Sequence, residues 1–158
     1  NSALAIGDTH QGGIIFYLDA TGVHGLITAP TSQSQGEWGC YGTPISGADE
    51  TGIGTGIQNT IDIVNANCVA NGDITNAIAA NVCDTLTLGG YSDWFLPSKD
   101  ELYEMYLNKD AIGGFACNYL WSSTEYDNGF ACTQNVYNGL QPNSLKSNAY
   151  FLRAIRAF

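Results

Sequence analysis

The chain has 158 residues, with 5 Lys+Arg against 15 Asp+Glu, a formal net charge of -10 and 44% hydrophobic residues. That length suits one domain with a real core, and the hydrophobic share argues against a disordered chain. Nucleic acid and anionic membrane surfaces are poor partners for it, because both demand clustered cations, and no run reaches the roughly 18–20 apolar residues of a membrane span.

In chain order, Gly12-Gly13-Ile14-Ile15-Phe16-Tyr17-Leu18 is a β-branched and aromatic run that predicts a buried strand. Asp19-Ala20-Thr21-Gly22 is a turn, and His24-Gly25-Leu26-Ile27-Thr28-Ala29 returns as the second strand of a hairpin stopped by Pro30. Residues 31–56 read as a long loop with Trp38 and Tyr41 among glycines, and a loop of that length is functional or tied down by its own side chains. Two helices are expected next, one carried by the stripe Ile57, Ile61 and Val64, the other by Ile74, Ala77, Ile78 and Val82. Pro97-Ser98-Lys99-Asp100-Glu101 holds a capping box, an N-cap Ser with Glu three residues on. It predicts a third helix with Leu102, Met105 and Tyr106 on its apolar face. Residues 119–123 and 130–136 flank Tyr126-Asp127-Asn128-Gly129, whose Asn-Gly is a strong hairpin signal. Residues 149–158 predict one last strand. Strands at both ends with two to three helices between them predict paired terminal strands, an α+β fold and a single domain over 1–158.

The five cysteines show no C-x-x-C and no Cys/His cluster, so zinc is not indicated and disulfides in an extracellular compartment are. Cys68 follows the first helix and Cys83 ends the second, so that bond would staple the helical pair. Folding the late hairpin brings Cys117 and Cys132 towards each other, which suggests the second bond. Cys40 would then be free or paired with another chain; the alternative is a set of buried reduced thiols. The chain starts at Asn1 rather than Met and shows no leader, which suggests a mature or excised piece.

Residues 89–102, GGYSDWFLPSKDEL, resemble the signature of the domain of unknown function 1566, a family that includes the C-terminal domain of the Lcl collagen-like adhesin. Trp121-Ser122-Ser123-Thr124-Glu125 and Arg153-Ala154-Ile155-Arg156-Ala157-Phe158 are similar to its two other blocks, and the opening glycine-rich strand is also typical of it. The resemblance implies a C-type-lectin-like fold in which the first and last strands pair and long loops build a ligand face. It further implies the C-terminal part of a longer secreted protein, on a bacterial or phage fibre or a cell surface. Trimerisation or fibre formation follows by the same analogy. The blocks also read structurally: Trp94, Leu96 and Trp121 as core, and Arg153 and Arg156 as partners for carboxylates such as Asp93 or Glu101.

Sugars bind to flat aromatic faces flanked by amides and carboxylates. Loops 31–56 and 125–148 offer Trp38, Tyr41, Tyr126, Asp127, Asn128, Tyr137, Asn138, Gln141 and Asn143 as ligand residues, for a glycan or a surface receptor. Calcium needs six to eight oxygens. Gln141-Pro142-Asn143 is similar to the tripeptide of calcium-dependent lectins, but no Trp-Asn-Asp follows, so no cofactor is assigned and calcium stays a secondary expectation. No G-x-S-x-G is present, Gly52-Ile53-Gly54-Thr55-Gly56 lacks dinucleotide spacing, and the paired cysteines of formylglycine-generating enzymes, which share a related fold, have no match. A non-enzymatic binding module is expected, with a fibre subunit or cap whose partner is itself as the alternative. The terminal arginines and Lys99 are expected to serve the structure, which leaves the loops acidic and amide-rich.

Overall fold

The computed structural model describes residues 2–70 and 77–158. The first apolar run is a strand, β2 (Gly13–Leu18), antiparallel to β3 (Gly25–Thr28), with the two-residue β1 (Thr9–His10) on its other side. The last strand, β9 (Ile155–Ala157), pairs antiparallel with β3, the return strand of the first hairpin, and not with the first strand as expected, because β1 and β3 already occupy both edges of β2. These four form one sheet. A second sheet runs in the order β4 (Ser34–Gly36), β8 (Tyr150–Leu152), β5 (Tyr119–Glu125), β6 (Phe130–Asn135), β7 (Asn143–Leu145). Beside the sheets lie α1 (Gly56–Asn65), α2 (Ala79–Asp84), α3 (Lys99–Leu107) and the single turn α4 (Lys109–Ile112). The class is α+β, as expected, with α4 added to the anticipated helices.

Residues 149–158 form two strands rather than one, because the chain leaves one sheet at Leu152 and joins the other at Ile155. Arg153 sits in that crossing, buried, and meets no carboxylate among the described residues, against the expectation of an ion pair. Its guanidinium donates to the carbonyls of Ala29 (2.8 Å), Gly113 (2.7 Å) and Pro30 (3.1 Å), which ties the crossing to the end of β3 and to the turn after α4. Five donors in a fixed planar fork collect carbonyls spread around it, whereas a lysine offers three donors from a single point. Burial lowers its pKa to about 10, so it stays charged at neutral pH. Arg156 does meet Asp93, and also Gln11.

Helix α1 turns most of its predicted apolar stripe outwards, with only Val64 packed partly against the core. Ile57 and Ile61 are 46% and 41% exposed, while Asn59, Thr60 and Ile63 are buried. Polar residues face inwards because they receive backbone groups there: the Thr60 hydroxyl accepts from the Leu96 N–H at 3.0 Å, and the Asn59 amide donates to the Glu50 carbonyl at 2.7 Å. For the second predicted helix, Ile74 lies outside the described residues. Ile78 is buried at the N-cap position of α2. The capping box of α3 forms as predicted, with Leu102 and Met105 buried beneath it. Trp94, Leu96 and Trp121 are core residues. The opening glycine-rich strand and the 89–102 block touch through their glycines: a Cβ on Gly89, whose φ is +64, would lie 2.6 Å from the Gly12 Cα.

The disulfide expectations are overturned. Cys40 bonds to Cys68, while Cys83, Cys117 and Cys132 are free and buried. Cys83 is fully enclosed in the core on α2, and the Cys68 sulfur is taken by Cys40 from the long loop. In the hairpin the register pairs Tyr119 with Asn135. Cys117 therefore lies beyond the open end of the ladder, whereas Cys132 lies back inside it, with its carbonyl accepting from the Ser122 hydroxyl at 2.6 Å. Burial pushes all three thiols upwards, Cys132 to about 11.

We expect thiol titration without reductant to count three free thiols per chain after denaturation and essentially none reactive in the native protein. The bond closes a sequence separation of 28 residues, so Cys40→Ser should cost about 3–4 kcal/mol in denaturant melts.

Candidate functional site

The long loop is held by its own side chains. Two indoles exchange hydrogen bonds across its start: Trp38 donates to the Ser122 carbonyl (2.8 Å), and Trp121 donates to the Gly36 carbonyl (2.9 Å). Both rings are at most 1% exposed. Further along, the Glu125 carboxylate at the end of β5 accepts the Ile45 N–H at 3.0 Å, and the Glu125 N–H donates to the Ala48 carbonyl at 2.7 Å. Lys146, after β7, completes the junction. Its ammonium lies 2.7 Å from Glu125, donates to the Thr43 carbonyl at 3.2 Å and sits 4.6 Å from the centre of the Trp38 ring, with no exposed side-chain surface. The two expected ligand loops are thus brought together, and the Gly42 N–H donates to the Asn128 carbonyl at 2.8 Å.

The next stretch of the loop is anchored on α3. Glu101, fully buried, accepts the N–H groups of Ser98 (2.8 Å) and Gly54 (3.0 Å). Gly56 needs to lack a side chain there, because a Cβ would lie 2.2 Å from the Glu101 carboxylate. Burial raises the Glu101 carboxyl above its ordinary range, while these hydrogen bonds pull the other way.

Between the anchored loop, the start of α3 and the β5–β6 hairpin opens a cleft of about 310 Å³, lined by Asp49, Thr51, Lys99, Thr124, Glu125, Tyr126, Cys132 and Asn143. Its floor is internally satisfied: the Thr124 hydroxyl donates to the Glu50 carbonyl and accepts the Lys99 N–H, while Glu125 holds Lys146. Its rim carries a carboxylate, an ammonium, an amide, a hydroxyl and a phenol ring.

Of the expected ligand residues, Tyr126 and Asn143 line this cleft. Asp127 and Asn128 form the adjacent turn, where Asp127 accepts the N–H groups of Gly129 and Phe130, and the exposed Tyr41 ring lies against Gly129. Trp38 is no ligand residue, because its ring is buried under Lys146. Tyr137 and Asn138 lie at the far end of β6, beside α4 and Lys109, and do not join the group. Gln141 is occupied, donating to the Lys99 carbonyl (2.7 Å) and to Gln134 (2.8 Å), and so serves as a brace. The sequence pattern does not single out Thr51 and places Lys99 with the structural cations; only the helix N-terminus and the loop meeting in space mark them. Among the described residues, no three His, Cys, Asp or Glu side chains gather to hold a metal ion, and no helix is long and apolar enough to cross a membrane.

No family model matches the chain, and no curated protein does. Among solved structures it is similar to a fimbrial protein from Bacteroides ovatus, with a TM-score of 0.59 over 98% of this chain at 14% identity. The chain spans 45% of that protein's length. At that identity the likeness shows a shared fold.

Removing one member of the buried pair should cost about 3–5 kcal/mol, so Lys146→Met and Glu125→Gln should each lower the denaturation midpoint sharply, and the double variant should recover part of the loss. The raised Glu101 carboxyl sets a pH trend of definite sign. Its contribution is complete below the ordinary glutamate value of about 4.3 and is lost as pH rises through the higher folded value, because the folded state holds the proton more tightly. Urea melts from pH 4 upwards should show that component, and Glu101→Gln should abolish it.

Proposed function

We propose that the chain is a module of a bacterial surface appendage, a structural subunit or cap of a fibre whose main partner is itself. The observation that carries this reading is the fold shared over 98% of the chain with a fimbrial protein. The Cys40–Cys68 bond suits an oxidising, extracellular compartment. The lectin-like reading draws support from the return of the last strand to the first hairpin and from the loops gathered on one side. Sequence blocks that resemble the domain of unknown function 1566 meet in that frame: Gly12 against Gly89, and Asp93 against Arg156.

A recognition role within the appendage is favoured by one observation, the cleft whose walls come from both long loops. On that reading the partner is a glycan or a surface receptor.

Immunogold electron microscopy of cells that express the protein, with antibodies to this chain, tests the appendage reading. Gold along filaments or at their tips is the expected outcome. Label confined to the cell interior would sink it.

A further inference from the structure

Four of the five cations have their charge engaged inside the protein. Lys146 holds Glu125, Arg156 holds Asp93, Arg153 is surrounded by carbonyls, and Lys109 donates to the Val136 carbonyl at 3.1 Å while lying 4.9 Å from the Tyr106 ring centre. Lys99 is different. Its main chain is fixed, because its N–H donates to Thr124 and its carbonyl accepts from Gln141. Its ammonium makes no ion pair or hydrogen bond among the described residues, and it lies on the cleft. The same holds for the other rim groups, the Asp49 carboxylate, the Thr51 hydroxyl, the Tyr126 phenol and the Asn143 amide: each lines the cleft, and none has a side-chain partner among the described residues. A larger groove of about 480 Å³ over Gln35, Asn118 and Tyr150 contains no charged side chain.

We propose that this cleft binds a sugar residue bearing a single carboxylate, a hexuronic or nonulosonic acid terminus. Its carboxylate would meet Lys99, its hydroxyls Asp49, Thr51 and Asn143, and its ring the face of Tyr126. The inference rests on the recognition reading of the cleft. The charge pattern selects the ligand class. One unengaged ammonium matches one anionic group, and ionised hydrogen bonds are about twice as strong as neutral ones. A second anionic group would face Asp49 in a chain of net charge -10. Amide, hydroxyl and carboxylate around an aromatic ring match the several hydroxyls and CH faces of a pyranose, whereas an acidic peptide would leave most of them unused. The volume suits one monosaccharide rather than an extended chain.

The test titrates ¹⁵N-labelled protein with glucuronic acid, N-acetylneuraminic acid, glucuronic acid methyl ester and N-acetyl-aspartate amide. The acids should shift the amide signals of residues 49–51, 99, 124 and 143, saturably and less tightly as salt rises. Lys99→Gln should weaken the acids about tenfold and leave the ester unchanged, with Lys99→Arg restoring the acids. The Lys99 side chain has no structural partner, so an unchanged melting temperature and amide spectrum in Lys99→Gln are expected. Equal binding of acid and ester, unaffected by Lys99→Gln, would overturn the carboxylate assignment and leave the recognition reading standing. Equal binding of N-acetyl-aspartate amide would overturn the sugar. No shift at the cleft with any probe would overturn the recognition reading itself.

Discussion

The buried contact between Lys146 and Glu125 holds the loop face in place. A carboxylate and an ammonium removed from water cost several kcal/mol each, and they are tolerated only when the geometry and the remaining hydrogen bonds compensate. Here the compensation comes from the chain itself. Glu125 also takes the Ile45 N–H, while Lys146 also takes the Thr43 carbonyl and the Trp38 ring. Three segments distant in sequence, around residues 43–45, 125 and 146, share one electrostatic knot. Without it the long loop would have few reasons to lie against the β5–β6 hairpin, and the cleft would lose a wall.

The same device recurs with different chemistry. Arg153 gathers carbonyls from two turns where the chain changes sheets, Glu101 gathers N–H groups from the loop and the α3 cap, and the two indoles trade carbonyls across the loop's beginning. In each case a large side chain with several donors or acceptors satisfies backbone groups that irregular segments would otherwise bury unpaired. That is how a chain with few helices and short strands orders its long connections. It also explains why four charged residues, Glu101, Glu125, Lys146 and Arg153, are buried. The surface is then left to amides, hydroxyls and carboxylates, with Lys99 as the cation whose charge remains available.

Local signals in the sequence are legible where a short stretch decides the outcome. The hairpins at residues 12–29 and 119–136 and the Ser98–Glu101 cap depend on neighbours a few residues apart. The placement of Trp94 and Trp121 in the core follows from the same kind of pattern. The departures share a cause, which is that a distant partner outweighs the local pattern. The stripe of Ile57 and Ile61 gives way to Asn59 and Thr60 because Glu50 and Leu96 present backbone groups to that side of α1. Trp38 has the setting of a ligand platform among glycines, yet Ser122 and Lys146 draw it inside. Cys83 is the nearest cysteine to Cys68 in sequence, whereas the long loop brings Cys40 to it instead.

The α+β class, the hairpins and the capped helix are legible in the sequence alone, because periodicity and turn chemistry act locally. The tertiary structure alone decided which cysteines bond, which face of α1 turns inwards and which loop residues share a cleft. It separated Tyr137 and Asn138 from Tyr126, since they lie at opposite ends of β6, and it freed Lys99 for the cleft while enclosing Lys146. Those outcomes depend on contacts between residues tens of positions apart, whose energies outweigh local preference and leave no spacing in the chain from which to read them.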